Sequence, residues 1–357
     1  MSTNILVLPG DGIGPEITAA TLEVLEAADR TFGLGLEIEQ QDIGLASLAE
    51  HGITLRPEIL TRIPEVDGVL LGPVSHYDYP PRAEGGINPS AELRTKFKLY
   101  SNIRPSRSVP DLTVLRNPMD IVIIRENTEG FYADRNMHLG VPEFMPDEDT
   151  ALSVRKITAR ACQAVARTAF DIASARRKKV TAVHKANVLK TTDGLFLREV
   201  RKVAEEYPDV ELEELIVDAT AALLVRRPHT FDVLVTTNMF GDILSDEASE
   251  LCGSLGLGGA INAGEQVCVA QAQHGSAPDI AGQGIANPTS LILSAAMLLD
   301  WLGRRDDTAT FREASAAVEA AVNDALAKPE LRTRDLGGTA TTAEFARSVV
   351  EALTTES

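Results

Sequence analysis

No apolar run in the sequence is long enough to cross a bilayer: the longest, around Leu291 to Leu299, falls far short of the ~20 residues that a spanning helix needs. The opening MSTNILVLPG lacks a basic segment with an apolar stretch behind it, so neither an export signal nor a membrane anchor is expected. Cysteine is scarce. Cys162, Cys252 and Cys268 are far apart, odd in number and in no C-x-x-C arrangement, which predicts buried thiols in a reducing compartment, the cytoplasm. Basic charge is in deficit, with 34 Lys and Arg against 52 Asp and Glu and a formal net charge of -18. So few cations cannot displace counterions from nucleic acid or anionic membrane, and neither is expected as a partner. An acidic small molecule stays open, because arginines gathered in one cleft can bind it whatever the overall charge.

At 357 residues and 44% hydrophobic, the chain is long enough for a large core divided between two domains. Buried-strand runs recur at Asn4 to Leu8, Val66 to Leu71, Asp120 to Arg125, Lys179 to His184 and Phe231 to Thr236. Between them the apolar spacing predicts helices, among them Pro15 to Ala28, Thr150 to Ala175 and Thr191 to Glu206. Strands alternating with helices predict α/β layers. There is no internal repeat, low-complexity tract or Gly/Ser linker. A second domain is therefore expected where the chain leaves one layer system and later returns to it.

The turn Gly10-Asp11-Gly12-Ile13-Gly14-Pro15-Glu16 follows the first strand run, but a G-x-G-x-x-G fingerprint needs glycine where Pro15 stands, so the Rossmann reading fails. By itself such a turn is more often structural, although amides at a helix start can approach an anion or a nicotinamide ribose. Arg94, Arg104 and Arg125 are three guanidiniums near strand ends, a set able to clamp two carboxylates. Isolated arginines are usually solvated, but Arg125 ends a buried strand, where a long cation needs a partner. Tyr132 is either an interfacial aromatic or a phenolic acid. FDVLVTTNMFGDILSDEASE sets Asp242 and Asp246 four apart on one helix face. A solvated face tolerates that repulsion, and a hard cation such as Mg²⁺ or Mn²⁺ turns it into coordination. Asp218 follows an apolar run where an unpaired charge is costly. Lys185 ends another strand run, and there it either reaches water or, beside metal and arginines, transfers protons. His184 and His274 are too dispersed for a zinc site, and no G-x-S-x-G pattern points to a hydrolase.

From residue 5 to 353, LPGDGIGPE, LRTKFKLYSNIRP, RENTEGFY, VHKANVLK, TTNMFGDILSD, HGSAPDIAGQGIANP and DLGGTATT occur in that order. Together they resemble the β-decarboxylating dehydrogenases, the family of isocitrate, homoisocitrate, 3-isopropylmalate and tartrate dehydrogenases. The resemblance implies an NAD-dependent oxidation and decarboxylation of a 3-substituted malate, a small hydroxy di- or tricarboxylate. It also implies an α/β fold with an open α/β/α large domain, without a Rossmann module, over residues 1–100 and 254–357. A smaller dimer-forming domain over 101–253 completes each subunit of a homodimer. Residue by residue, the resemblance gives Arg94, Arg104 and Arg125 to the malate carboxylates, and Asp218, Asp242 and Asp246 to Mg²⁺ or Mn²⁺. Lys185 is given to removal of the hydroxyl proton, and Tyr132 to protonation at C3. Lys185 and Asp218 are expected to reach across the dimer into the other subunit's site.

His274 to Gly282 resembles the family's adenosine loop. His274, Gly275, Ser276, Ala277, Asp279, Ile280 and Asn287 are therefore expected around adenosine, with Ile13 and Gly72 towards the nicotinamide. NADP-using members tend to have Lys and Tyr at the positions of Asp279 and Ile280, and a carboxylate there repels a 2′-phosphate. Departures from the family are Gln271, where glutamate is usual, and Ala222 and Leu223, which replace a common Met-Gln pair. The segment Ser75 to Leu93 corresponds to the one that reads the C3 substituent. Asn88 and Ser90 are the residue types that isocitrate enzymes carry there, in reversed order. A polar substituent of isocitrate or homoisocitrate type is expected ahead of 3-isopropylmalate, tartrate or D-malate. A non-catalytic regulatory subunit is the alternative of another class, and retention of Lys185, Tyr132 and three aspartates argues against it.

Overall fold

The computed structural model describes residues 2–132 and 137–355. Apolar runs bounded by turns become strands, and the amphipathic stretches between them become helices. The chain begins with β1 (Thr3–Leu8), α1 (Gly14–Phe32), β2 (Leu36–Gln40), α2 (Gly44–His51), α3 (Pro57–Arg62) and β3 (Gly68–Leu71). After α4 (Pro89–Lys96) come β4 (Ser101–Arg107), β5 (Asp120–Glu126), β6 (Glu143–Asp147), β7 (Thr150–Ser153), α5 (Ala159–Ser174) and β8 (Lys179–His184). Then follow α6 (Thr192–Ala204), β9 (Glu211–Ile216), α7 (Val217–Arg226), β10 (Val233–Thr236) and α8 (Asn238–Cys252). The last elements are β11 (Ile261–Ala263), β12 (Cys268–Gln271), α9 (Thr289–Arg305), α10 (Ala309–Leu326) and α11 (Thr342–Thr355).

These elements form two compact units. The first takes the chain up to Leu93, the short return Val109–Leu112 and everything from Gly253, and the second takes Arg94–Ser108 and Thr113–Cys252. In the first unit the strand order is β2-β1-β3-β12-β11, parallel except where β11 meets β12. Val24 and Ala28 of α1 pack with Ile292, Val318, Phe345 and Val349 from the last three helices. In the second unit the order is β4-β5-β10-β8-β9, parallel except where β4 meets β5. Ile121, Ile123, Val183 and Leu234 of that sheet pack with Leu224 of α7 and Leu244 of α8. Strand β5 is buried from Ile121 to Glu126, as expected of a strand covered on both faces.

One expected helix is corrected. Thr150 to Ser153 pairs as a strand with β6, and every residue of both strands is exposed. The helix begins only at Ala159, where the Thr158 hydroxyl accepts the Ala161 N–H at 3.3 Å and so fixes the start. Helix α1 also runs past Ala28, ending at Gly33 in the left-handed conformation. All three cysteines are buried and free. Among the described residues no helix is long and apolar enough to cross a membrane.

Candidate active site

Arg125 is the last residue but one of β5, and β10 delivers the chain directly into α8, so the first turns of α8 meet that arginine. A Cβ on Gly241 would lie 2.7 Å from Arg125 Cβ and Cγ, so this contact admits no side chain. Arg125 is 2% exposed. Its Nε and Nη2 donate to Asn238 Oδ1 at 3.0 and 2.7 Å, and its Nη1 pairs with Asp242. The Tyr132 hydroxyl donates to the other Asp242 oxygen at 2.6 Å, and the guanidinium of Arg125 lies 5.4 Å from the Tyr132 ring. Arg104 of β4 donates from Nε to Asn102 Oδ1 at 2.6 Å and from Nη1 to Ser245 Oγ at 2.7 Å. The same Nη1 lies 3.0 Å from Asp246 Oδ1 and 3.4 Å from Asp242 Oδ1. Two carboxylates one turn apart thus share two buried guanidiniums.

The two carboxylates differ electrostatically. Burial pushes the Asp242 carboxyl up, but Arg125, Arg104 and the Tyr132 hydrogen bond outweigh it and hold the group below the usual carboxylate range. At Asp246 burial prevails and the pKa rises. Burial and the like charge of Arg125 bring Arg104 down to about 10, which leaves it charged at neutral pH. Arg94 also acts on Asp242 through its charge. Three cations around two carboxylates leave an excess of positive charge for an anionic ligand.

Lys185 and Asp218 are together, but elsewhere. Lys185 follows β8, its backbone N–H donates to Asp193 Oδ2 at 2.6 Å, and its Nζ pairs with Asp218 in the first turn of α7. That pairing lowers the Asp218 pKa. Among the described residues no three His, Cys, Asp or Glu side chains are grouped to hold a metal ion, so one chain does not bring Asp218 to Asp242 and Asp246.

The first unit holds a cleft of about 490 Å³ lined by Ile13, His274, Gly275, Ala277, Ile280 and Asn287. Gly256, Arg334 and Asp335 line it too. Sequence reasoning missed these three, although Asp335 lies in a quoted motif. Ser276, Asp279 and Gly72 are not among the lining residues. Ser276 instead accepts the Ile13 N–H through its carbonyl at 2.8 Å, and its hydroxyl meets that of Ser75 at 2.7 Å. Gly12 has φ +60, and a Cβ on it would come 2.0 Å from Ser276 O, so glycine is required where turn and loop touch. Glu16 accepts the N–H groups of Gly282, Gly284 and Ala286 at 3.0, 3.3 and 3.3 Å, tying the loop to α1. Asn287 Nδ2 donates to Asp335 Oδ2 at 2.9 Å. The expected substituent-reading residues already have uses within the chain. Asn88 Oδ1 accepts the Ala91 N–H at 3.1 Å, Ser90 donates to Gln271 Oε1 at 2.9 Å, and neighbouring Arg82 pairs with Glu92 at 3.0 Å.

Residues 4–349 match the family model for isocitrate/isopropylmalate dehydrogenases. The chain belongs to that family. Its fold is the isocitrate/isopropylmalate dehydrogenase fold, and it is an oxidoreductase. The family is one of β-decarboxylating dehydrogenases that use a nicotinamide dinucleotide and a divalent metal. Among its members, the isocitrate/homoisocitrate dehydrogenase of Thermus thermophilus is 42% identical over 355 residues, covering 99% of both chains. The 3-isopropylmalate dehydrogenase of Methanothermobacter thermautotrophicus is 40% identical over 353 residues, again covering 99% of both. The crystal structure of isocitrate dehydrogenase from Methylococcus capsulatus superposes with a TM-score of 0.85 at 39% identity, covering 98% of this chain and 99% of that one.

Proposed function

We propose that the protein catalyses the NAD-dependent, Mg²⁺- or Mn²⁺-dependent oxidative decarboxylation of a 3-substituted malate with a polar substituent, as in isocitrate or homoisocitrate. The convergence of Arg104, Arg125 and Tyr132 on Asp242 and Asp246 carries this reading. Hard carboxylate oxygens suit Mg²⁺ or Mn²⁺. One chain offers two carboxylates, Asp242 and Asp246, and Asp218 from a second copy supplies the third. When bound, the cation supplies Lewis acidity at the C2 oxygen and NAD is the hydride acceptor. Arg94, Arg104 and Arg125 hold the two malate carboxylates and so fix the reacting carbons. Lys185 from the second copy takes the C2 hydroxyl proton, and Tyr132 returns a proton to C3 after CO₂ has left. Asn88 and Ser90 face the substituent.

NAD is favoured over NADP because Asp279 brings a carboxylate to the adenosine loop. A homodimer with shared sites is supported by the Lys185–Asp218 pair, which among the described residues is not grouped with Asp242 and Asp246. It is also supported by exposed apolar side chains: Val225 on α7, Ile243 on α8, and Leu139, Val141 and Met145 at and just before β6. The buried, unpaired thiols suit a cytoplasmic setting.

Complementation tests the shared site. Dimers of Lys185→Met and Asp242→Asn subunits, assayed with NAD against isocitrate, homoisocitrate, 3-isopropylmalate and tartrate, should be active although each parent homodimer is not. In the hybrid one site retains both residues. Hybrids as inactive as their parents would put Lys185 and Asp242 in the same subunit's site. Highest kcat/KM for 3-isopropylmalate would remove Asn88 and Ser90 from the substituent pocket.

A further inference from the structure

Arg155 is a buried cation without a part in the proposed chemistry. It lies between β7 and α5 with its side chain 8% exposed. Its Nη1 donates to Thr192 Oγ1 at 2.9 Å and pairs with Asp193, while Nη2 donates to Thr237 Oγ1 at 2.8 Å. The guanidinium lies 5.6 Å from the ring of Phe131 and 5.4 Å from that of Phe240. All of these contacts except Thr192 lead to a residue of the proposed mechanism. Phe131 precedes Tyr132. Thr237 leads into α8, and Phe240 lies two residues before Asp242. Asp193 is fully buried, and its second oxygen accepts the Lys185 backbone N–H at 2.6 Å.

A desolvated ion pair of this kind often contributes no more to stability than apolar side chains of the same volume, so its geometry is the better reason for it. A guanidinium offers five donors in a fixed plane, and here that plane joins three segments whose sequence positions are far apart. We infer that Arg155 is a positioning residue that sets the Lys185 turn in register with the Tyr132–Asp242 group. The inference rests on the roles proposed above for those residues and on the exchange of Lys185 between copies. One Arg155 then serves two sites. It orients Tyr132 and Asp242 for its own subunit's site, and it orients the Lys185 given to the other.

The complementing dimer of Lys185→Met and Asp242→Asn subunits has a single live site, which isolates the two effects. That site takes Tyr132 and Asp242 from the Lys185→Met subunit and Lys185 from the Asp242→Asn subunit. Arg155→Lys, which keeps the charge and loses the planar fork, is added to one subunit or the other. Either placement should lower kcat about tenfold to hundredfold, the usual cost of a misplaced reacting group, with KM changing much less. Thr237→Val keeps its shape and cuts only the arm to α8. It should therefore lower kcat in the Lys185→Met subunit and spare it in the Asp242→Asn subunit, an asymmetry that general loosening does not produce. This second variant also decides the matter if Arg155→Lys subunits do not assemble. An inactive complementing dimer overturns the exchange and with it the two-site role. An active one that Arg155→Lys leaves unchanged in either placement, or that Thr237→Val impairs equally in both, overturns the role of Arg155 alone.

Discussion

His274 shows how much a single hydrogen bond decides. Its Nδ1 lies 2.9 Å from the Gly275 carbonyl oxygen, which can only accept, so Nδ1 carries the proton. The buried Nε2 has no partner among the described residues and is left as an acceptor, and burial lowers the ring's pKa and keeps it neutral. The ring therefore offers a nucleoside an acceptor and never a charge at neutral pH. The proposed preference for NAD over NADP rests instead on the neighbouring loop. Replacing Asp279 with Lys and Ile280 with Tyr should move the ratio of kcat/KM for NAD and NADP towards NADP. An unmoved ratio would show that this loop does not face the ribose 2′ position.

The start of helix α5 is held by a titrating group from another part of the chain. Glu129 accepts the Thr158 N–H at 2.6 Å and the Thr158 hydroxyl at 2.9 Å, and burial, only partly offset by these bonds, pushes its pKa up to about 7. The unfolded chain releases that proton near 4.5. Between those values the folded state holds more protons, so stability falls as pH rises through the window and levels off above it. Glu129→Gln has no such proton to lose. Its melting temperature relative to the unmodified protein should therefore climb between pH 5 and pH 8, and a constant difference would exclude Glu129 as the source. The same stretch of chain shows what sequence reasoning can and cannot reach. Strands such as β5 and β8 were readable because burial on both faces demands continuous apolar runs. Asp242 and Asp246 were readable because helical spacing fixes their common face. The β6–β7 hairpin was not, since its apolar side chains are left exposed by the described residues and leave no period to read. Arg155, Asp193 and Asn238 were equally hidden. Their partners lie 38 residues away for Arg155 and Asp193, and 113 for Arg125 and Asn238, beyond any local spacing. Lys185, Asp218 and His274 were assigned through family resemblance, because a lone lysine, aspartate or histidine has no pattern of its own.

The proposed homodimer makes a prediction about the molecule as an assembly. Ile243 on α8 is 60% exposed, so a second copy that covers this helix would bury it. Ile243→Asp should sediment as a monomer and lose nearly all turnover, since each site would then lack Lys185 and Asp218. A variant that remains dimeric and active would place the interface elsewhere. The route of the chain also has a consequence for its birth. Helix α1 is made long before α9, α10 and α11, yet Val24, Ala27 and Ala28 on its inner face are covered by side chains from those three helices. At about 5–20 residues per second, translation leaves that apolar face open for tens of seconds while the second unit, nearly continuous in sequence, can already close. During synthesis α1 thus waits with its apolar face uncovered, and a ribosome stalled before Thr342 leaves that face without the cover of Phe345 and Val349.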